Sequence, residues 1–193
     1  MRSKLYGQLH GNYMLKTKHE LPRINHEWLA QQLYDKLHGN YMLKDKSKIE
    51  TMDYKKYKDT VYQIIGAAME VHGELNWGLL EPVYNEALHL ELLDRGIENE
   101  REKQVPCYYK RHKLEKYYQM DLVVGDVIVE LKSVDELCAA HRAQLFNYMR
   151  LTKKPVGLLI NFGQSSLQGE RYGYDEETNE CILLDKNMRP VYD

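Results

Sequence analysis

From Tyr57 to about Leu75 the apolar residues Val61, Ile64, Ile65, Ala68 and Met69 recur at three-and-four spacing, the mark of one helix face. Asn76-Trp77-Gly78 breaks that pattern, and a second helix is expected from about Leu80 to Arg95, with Pro82 tolerated in its first turn and Gly96 closing it. An extended segment through Val105–Tyr109 and a Lys/Arg/His turn follow. Next come two Val-rich runs around Gly125-Asp126, within Tyr118–Lys132, that read as a β-hairpin. A third helix is expected over roughly Ala139–Leu151, then a buried strand over Val156–Phe162, a Tyr-rich strand near Arg171–Tyr174 and an acidic tail. The order is helix, helix, three strands, helix, strand. It predicts a mixed sheet flanked by helices, of α/β or α+β class.

The hairpin carries the first chemical signal. Glycine at the first central position suits a two-residue type II′ turn, which sets Val124 opposite Val127, Val123 opposite Ile128, and Asp121 opposite Glu130. Opposed residues have Cβ atoms about 5 Å apart, and like charges there destabilise a sheet. Lys132 shares the face of Glu130 because side chains alternate along a strand. A solvated charged face is the plain explanation for such a cluster. Against it, Val123 and Ile128 share the cluster's face, while Leu122, Val124, Val127, Val129 and Leu131 occupy the other. Strands apolar on both faces are buried on both. Carboxylates in such a place are paired, neutralised or bound to metal.

Composition changes the picture little. The chain has 193 residues, a net charge of −2 and 43% hydrophobic residues, enough for one domain with an appendage. Positive charge is nevertheless local: residues 101–118 hold six Lys/Arg against two Asp/Glu. Tyr108, Tyr109, Tyr117 and Tyr118 interleave with those cations, a pattern that serves either strand packing or base stacking. Cys107, Cys138 and Cys181 form no C-x-x-C pair, which argues against a disulfide framework or zinc ribbon and suits a cytoplasmic setting. The N-terminus lacks an apolar signal core, and no run reaches membrane-spanning length. Residues 1–52 form an extension in which Leu9–Lys16 recurs letter for letter as Leu37–Lys44. Two copies are too few for a solenoid. The repeat reads as an in-frame duplication, or as a docking element for a partner or second subunit, and residues 53–193 read as the compact domain.

Two helical faces carry polar groups. Glu81, Tyr84 and Leu88 share a face that Leu88 turns inward, although an acidic residue also suits a helix start. His141, Gln144 and Tyr148 form a stripe beside Leu145 and Met149, read either as a solvated face or as groups for a phosphate, a base edge or a water. No nucleophile elbow, P-loop or G-x-G-x-x-G is present.

Taken together, Asp121 with Glu130-Leu131-Lys132 resembles the core signature of the PD-(D/E)XK nuclease superfamily. Gly78-Leu-Leu-Glu81-Pro-Val-Tyr84 resembles the motif of its GxxExxY branch. His141-Arg-Ala-Gln144-Leu-Phe-Asn-Tyr148 with Gly157-Leu-Leu-Ile-Asn-Phe-Gly163 is similar to that branch's C-terminal block. The resemblance spans about residues 55–163. Met120 replaces the Pro of the superfamily name, and residues 1–52 have no counterpart. The resemblance implies a restriction-endonuclease-like core and a nuclease that hydrolyses phosphodiester bonds in DNA, or RNA. It implies Mg²⁺ or Mn²⁺ held by Asp121, Glu130 and the Leu131 carbonyl. Asp121, Glu130, Lys132, Gln144 and Glu81 are then the catalytic set, with Tyr148, Tyr84 and His141 at the substrate. The same fold without cutting, as a nucleic-acid-binding module or a partner-docked subunit, is the alternative reading.

Overall fold

Two helices lead into the sheet. The computed structural model describes residues 53–192, so the duplicated segment and the docking role suggested for it lie outside the described residues. A 3₁₀ turn (Tyr54–Tyr57) runs into α1 (Lys58–Leu75), which buries Val61, Ile64, Ala67, Ala68 and Val71. Met69, expected on that stripe, is 61% exposed, because Ala67 and Val71 take the inner face. Asn76 and Gly78 adopt positive φ and end the helix. In α2 (Glu81–Asp94), Pro82 falls in the first turn and Tyr84, Leu88 and Leu92 point inward. Gly96 at φ +73 closes the helix with paired bonds, Ile97 N–H to Leu92 and Gly96 N–H to Leu93, a Schellman arrangement.

The sheet has six strands in the order of the chain: β1 (Glu100–Tyr109), β2 (His112–Val124), β3 (Val127–Lys132), β4 (Val156–Asn161), β5 (Gln168–Asp175) and β6 (Glu180–Leu184). Only β3 and β4 pair in parallel, and α3 (Ala139–Thr152) makes the crossover between them. The β2–β3 register is the expected one, with Val124 opposite Val127 and Val123 opposite Ile128. Of the two turn residues only Gly125 has positive φ, as a turn with glycine first requires.

Both faces of the central strands are covered. Leu122, Val124, Val127, Val129 and Leu131 meet α1 and α2 in one core. Val123 and Ile128 meet Leu145, Phe146 and Met149 of α3 in a second. Gly157 permits the second contact, since a Cβ there would stand 2.6 Å from Met149 Sδ and 2.9 Å from a Leu145 methyl. Met120 fills the second core at 1% exposure, so the residue in the proline position serves as packing. The sequence reading missed β6: Cys181-Ile-Leu-Leu184 pairs with Arg171–Tyr174 and buries Cys181, Ile182 and Leu184.

Candidate active site

At the end of the hairpin opposite its turn, the ladder gives way to side chains. The last paired residues of β2 and β3 are Leu122 and Val129, and one step beyond them Asp121 and Glu130 stand opposite each other. The alternation of an antiparallel ladder makes Leu131 N–H the next donor in line. It bonds to Asp121 Oδ2 at 2.7 Å instead of to a strand carbonyl. The carboxylate thus takes the place of the next ladder acceptor and satisfies the backbone.

Glu130 is fully buried. Its Oε1 accepts from Lys132 Nζ at 2.6 Å, and its Oε2 is buried with no hydrogen-bond partner. Lys132 Nζ also lies 3.6 Å from Glu81 Oε2, so the first residue of α2 reaches the same ammonium. Burial, repulsion from Asp121 and, more weakly, Glu81 push the Glu130 carboxyl up to about 8, against the pull of Lys132. Burial likewise raises Asp121, opposed by the Leu131 N–H and Lys132, and raises Glu81, opposed chiefly by Lys132. For Lys132 itself, burial works against the charge, but Glu130, Glu81 and Asp121 outweigh it and raise the pKa. Three carboxylates therefore share one ammonium. Ionised together, they leave two negative charges uncompensated in a largely buried place, and such a deficit is met by protons or by a cation.

The residues fit a hard divalent ion, which takes oxygen ligands. The orphaned Glu130 Oε2, the second Asp121 oxygen and the backbone carbonyl of Leu131 are suitable donors. Among the described residues no three His, Cys, Asp or Glu side chains converge tightly enough to cage a metal by themselves. An ion here would draw the rest of its shell from backbone and water.

The fourth wall is α3. Gln144 Nε2 donates to the Tyr148 hydroxyl at 3.0 Å. Burial raises the Tyr148 pKa, Gln144 opposes it, and the Glu130 and Asp121 carboxylates add to it, which places the phenol beside the acidic cluster. Arg142 forks onto Glu170 of β5 (Nε–Oε2 2.7 Å), and the Tyr172 hydroxyl donates to the same carboxylate, fixing the helix against the sheet.

Two expected substrate contacts fall elsewhere. Tyr84 is fully buried and stacks on Phe162 with ring centroids 4.5 Å apart. Its hydroxyl accepts from Leu79 N–H and donates to Asn76 O, so it pins the loop before Glu81. His141 accepts from Cys138 N–H through Nδ1 at 3.2 Å, closing a capping box at the start of α3.

Several supports had no legible signal in the sequence. Ser133 Oγ donates to Leu79 O at 2.7 Å, tying the loop before Glu81 to the end of β3. Asn161, fully buried, accepts from Val134 N–H and Gly163 N–H and donates to Val134 O. Gly163 must be glycine, since a Cβ would stand 2.3 Å from the Val134 carbonyl oxygen. This clamp fixes the segment that follows Lys132. Replacing Asn161 with Ala orphans those buried backbone groups, so chemical denaturation should show a loss of about 2–4 kcal/mol. Glu102, at φ +54 within β1, falls in register opposite Asp121 and adds to the upward push on its pKa. At this kink the alternation of β2 shifts, and Met120 joins Val123 in the second core.

A mixed sheet with helices on both faces and an Asp/Glu/Lys cluster at the end of its central hairpin defines a restriction-endonuclease-like fold. The model of the PD-(D/E)XK nuclease superfamily matches residues 58–172, more than half of the chain. The chain belongs to that superfamily. Among curated proteins none matches. A solved structure titled "Crystal structure of SSO0001" superposes with a TM-score of 0.41 at 13% identity, over 78% of this chain and 81% of that one. Nucleases of the superfamily generally use divalent metals, and their substrates are nucleic acids. Among the described residues no helix is long and apolar enough to cross a membrane.

Proposed function

We propose that the chain is a Mg²⁺- or Mn²⁺-dependent nuclease acting on DNA, with its centre at Asp121, Glu130 and Lys132. The observation that carries this reading is the Glu130 oxygen left buried and unpartnered in a cluster two positive charges short of balance. A divalent ion held by Asp121, Glu130 and the Leu131 carbonyl would acidify a bound water and offset charge on the scissile phosphate. Lys132, held between Glu130 and Glu81, brings an ammonium to the oxyanion that develops at phosphorus. Gln144, whose Nε2 donates to the Tyr148 hydroxyl, would orient the attacking water through its amide oxygen, and Tyr148 would contact the sugar–phosphate backbone. Glu81 holds the far side of the ammonium and can complete the ion's outer shell.

The finer assignment to the GxxExxY branch belongs to the same proposal. Gly78 at φ +95 makes the turn, Glu81 enters the cluster, and Tyr84 locks the loop that joins them. We also assign residues 53–193 to the nuclease domain and a docking role to residues 1–52, tested by deleting them and measuring mass in solution.

The central test incubates the full chain with single- and double-stranded DNA and RNA in Mg²⁺, Mn²⁺ or EDTA, beside Asp121→Ala. DNA cleavage that requires metal and Asp121 is expected. Cleavage that persists in EDTA removes the metal role, and binding without cutting in every metal condition favours the binding module.

A further inference from the structure

β1 and β2 run on past the sheet. Among the described residues no third strand pairs with β2 beyond Leu122, and from Pro106 to Tyr117 the two strands pair only with each other around the Lys110-Arg111 turn. The result is a two-stranded ribbon. Asp121 stands at its root, and nine residues separate Asp121 from His112 at the tip, a reach of about 30 Å at strand rise. The Tyr118 ring meets the Tyr148 ring edge-on at 5.9 Å, which anchors the root to α3 beside the candidate site.

The ribbon is basic in an acidic chain. Residues 103–118 carry five Lys/Arg and one Glu, against a net charge of −2 for the whole sequence. Lys110, Arg111, Lys113 and Lys116 are exposed and, among the described residues, make no ion pair. Their distribution is two-sided. The neighbouring cross-strand pairs Tyr108–Lys113 and Tyr109–His112 face opposite sides, and the Lys110 ammonium lies over the Tyr109 ring, so each face carries a cation and an aromatic ring. Tyr108 and Tyr109, about 60% exposed, split between the faces in the same way. A platform for stacking unpaired bases presents its rings on one side. A ribbon dressed alike on both faces suits a slot with two anionic walls.

We propose, building on the nuclease reading, that residues 106–117 form an arm that enters the major groove of duplex DNA and holds it across the Asp121–Glu130–Lys132 centre. The major groove, about 12 Å wide, admits a two-stranded β-ribbon. The arm itself reaches about 17 Å from Tyr117 to its tip, and the tip stands about 30 Å from Asp121, close to one helical turn of the duplex. A second copy of this chain is a poor occupant, because two such arms repel.

Fluorescence anisotropy in EDTA, where cutting is silent, tests the arm with the full chain and a 20-base-pair duplex. The quadruple variant K110A/R111A/K113A/K116A should bind more weakly, and its plot of log affinity against log salt should be shallower by about 3–4, near 0.9 per lost phosphate contact. Lys113→Glu alone should flatten the plot by about one or more and guards against misfolding of the quadruple variant. Unchanged affinity and slope in both variants overturn the arm, as does tighter binding of the matching single strand, or a change of mass in solution with duplex binding intact. The two readings fail separately. Metal-dependent cutting with arm-independent binding sinks the arm alone; arm-dependent duplex binding without cutting in any metal sinks the nuclease reading alone.

Discussion

Replacing Glu130 with Gln should abolish DNA cleavage while making the metal-free protein more stable at pH 8. The opposition follows from the protonation of one buried group. Its carboxyl sits at about 8 in the folded protein, chiefly because of burial, against an ordinary value of 4.5. Between those values the folded state keeps a proton that the unfolded chain has released. By linkage, the contribution of Glu130 to stability is fully present below about pH 4.5 and is lost as pH rises to about 8. Three to four pH units at about 1.4 kcal/mol each set a ceiling near 5 kcal/mol. Glutamine holds the neutral form at every pH and still accepts from Lys132. Thermal melts without metal should therefore rise by about 2–3 kcal/mol at pH 8, or roughly 5–10 °C, and much less at pH 5. Mg²⁺ or Mn²⁺ should raise the wild-type melt and leave Glu130→Gln where it was, since a bound ion stabilises only the state that holds it. The same proton competes with the ion, so metal affinity should fall as pH drops below about 8. A variant that melts lower than wild type at pH 8 would mean that the carboxylate supports the fold and is no cost to it.

Lys132→Ala separates the ammonium from the metal ligands. The side chain is 8% exposed and lies 2.6 Å from Glu130 and 3.6 Å from Glu81. On the proposed reading its charge offsets the negative charge that grows on the phosphate. Removing one such preorganised group costs about 10²–10³ in the chemical step. Single-turnover cleavage under saturating Mn²⁺ should fall by that factor while DNA affinity stays within a few-fold, if the proposed arm and not the cluster carries the binding. A loss confined to affinity would make Lys132 a phosphate anchor with no part in the chemistry.

Much of the fold was legible in the sequence where period and turn chemistry agree. Gly125-Asp126 between two Val runs fixed the β2–β3 register to the residue, and the two-sided apolar pattern of β3 required covering layers on both faces. Spacing alone left Glu81 readable as a plain helix start, and only the family resemblance pointed it toward the cluster, where it lies 3.6 Å from Lys132. What stayed hidden depends on contacts distant in sequence. β6 is five residues long, and the acidic residues around it hid Cys181-Ile-Leu-Leu. Tyr84 looked like a substrate contact because its motif places it near the site, but its burial is decided by Phe162, one residue past β4 and some eighty residues on. Asn161 has no periodic signature, and its clamp on Val134 emerges only once β4 lies beside β3. Gln144 and Tyr148 were visible as a stripe at i and i+4, and their mutual hydrogen bond needed only the helix.

Manganese provides the most direct check on the central claim, because its anomalous scattering locates it in a crystal without any assumption about activity. Crystals of the full chain grown near pH 8 and soaked in MnCl₂ should show one strong anomalous peak between Asp121 and Glu130, about 2.1–2.3 Å from Glu130 Oε2, an Asp121 oxygen and the Leu131 carbonyl, and Glu130→Gln crystals should show none. No peak in the wild-type cluster, with Glu130 Oε2 still unpartnered, would contradict the account.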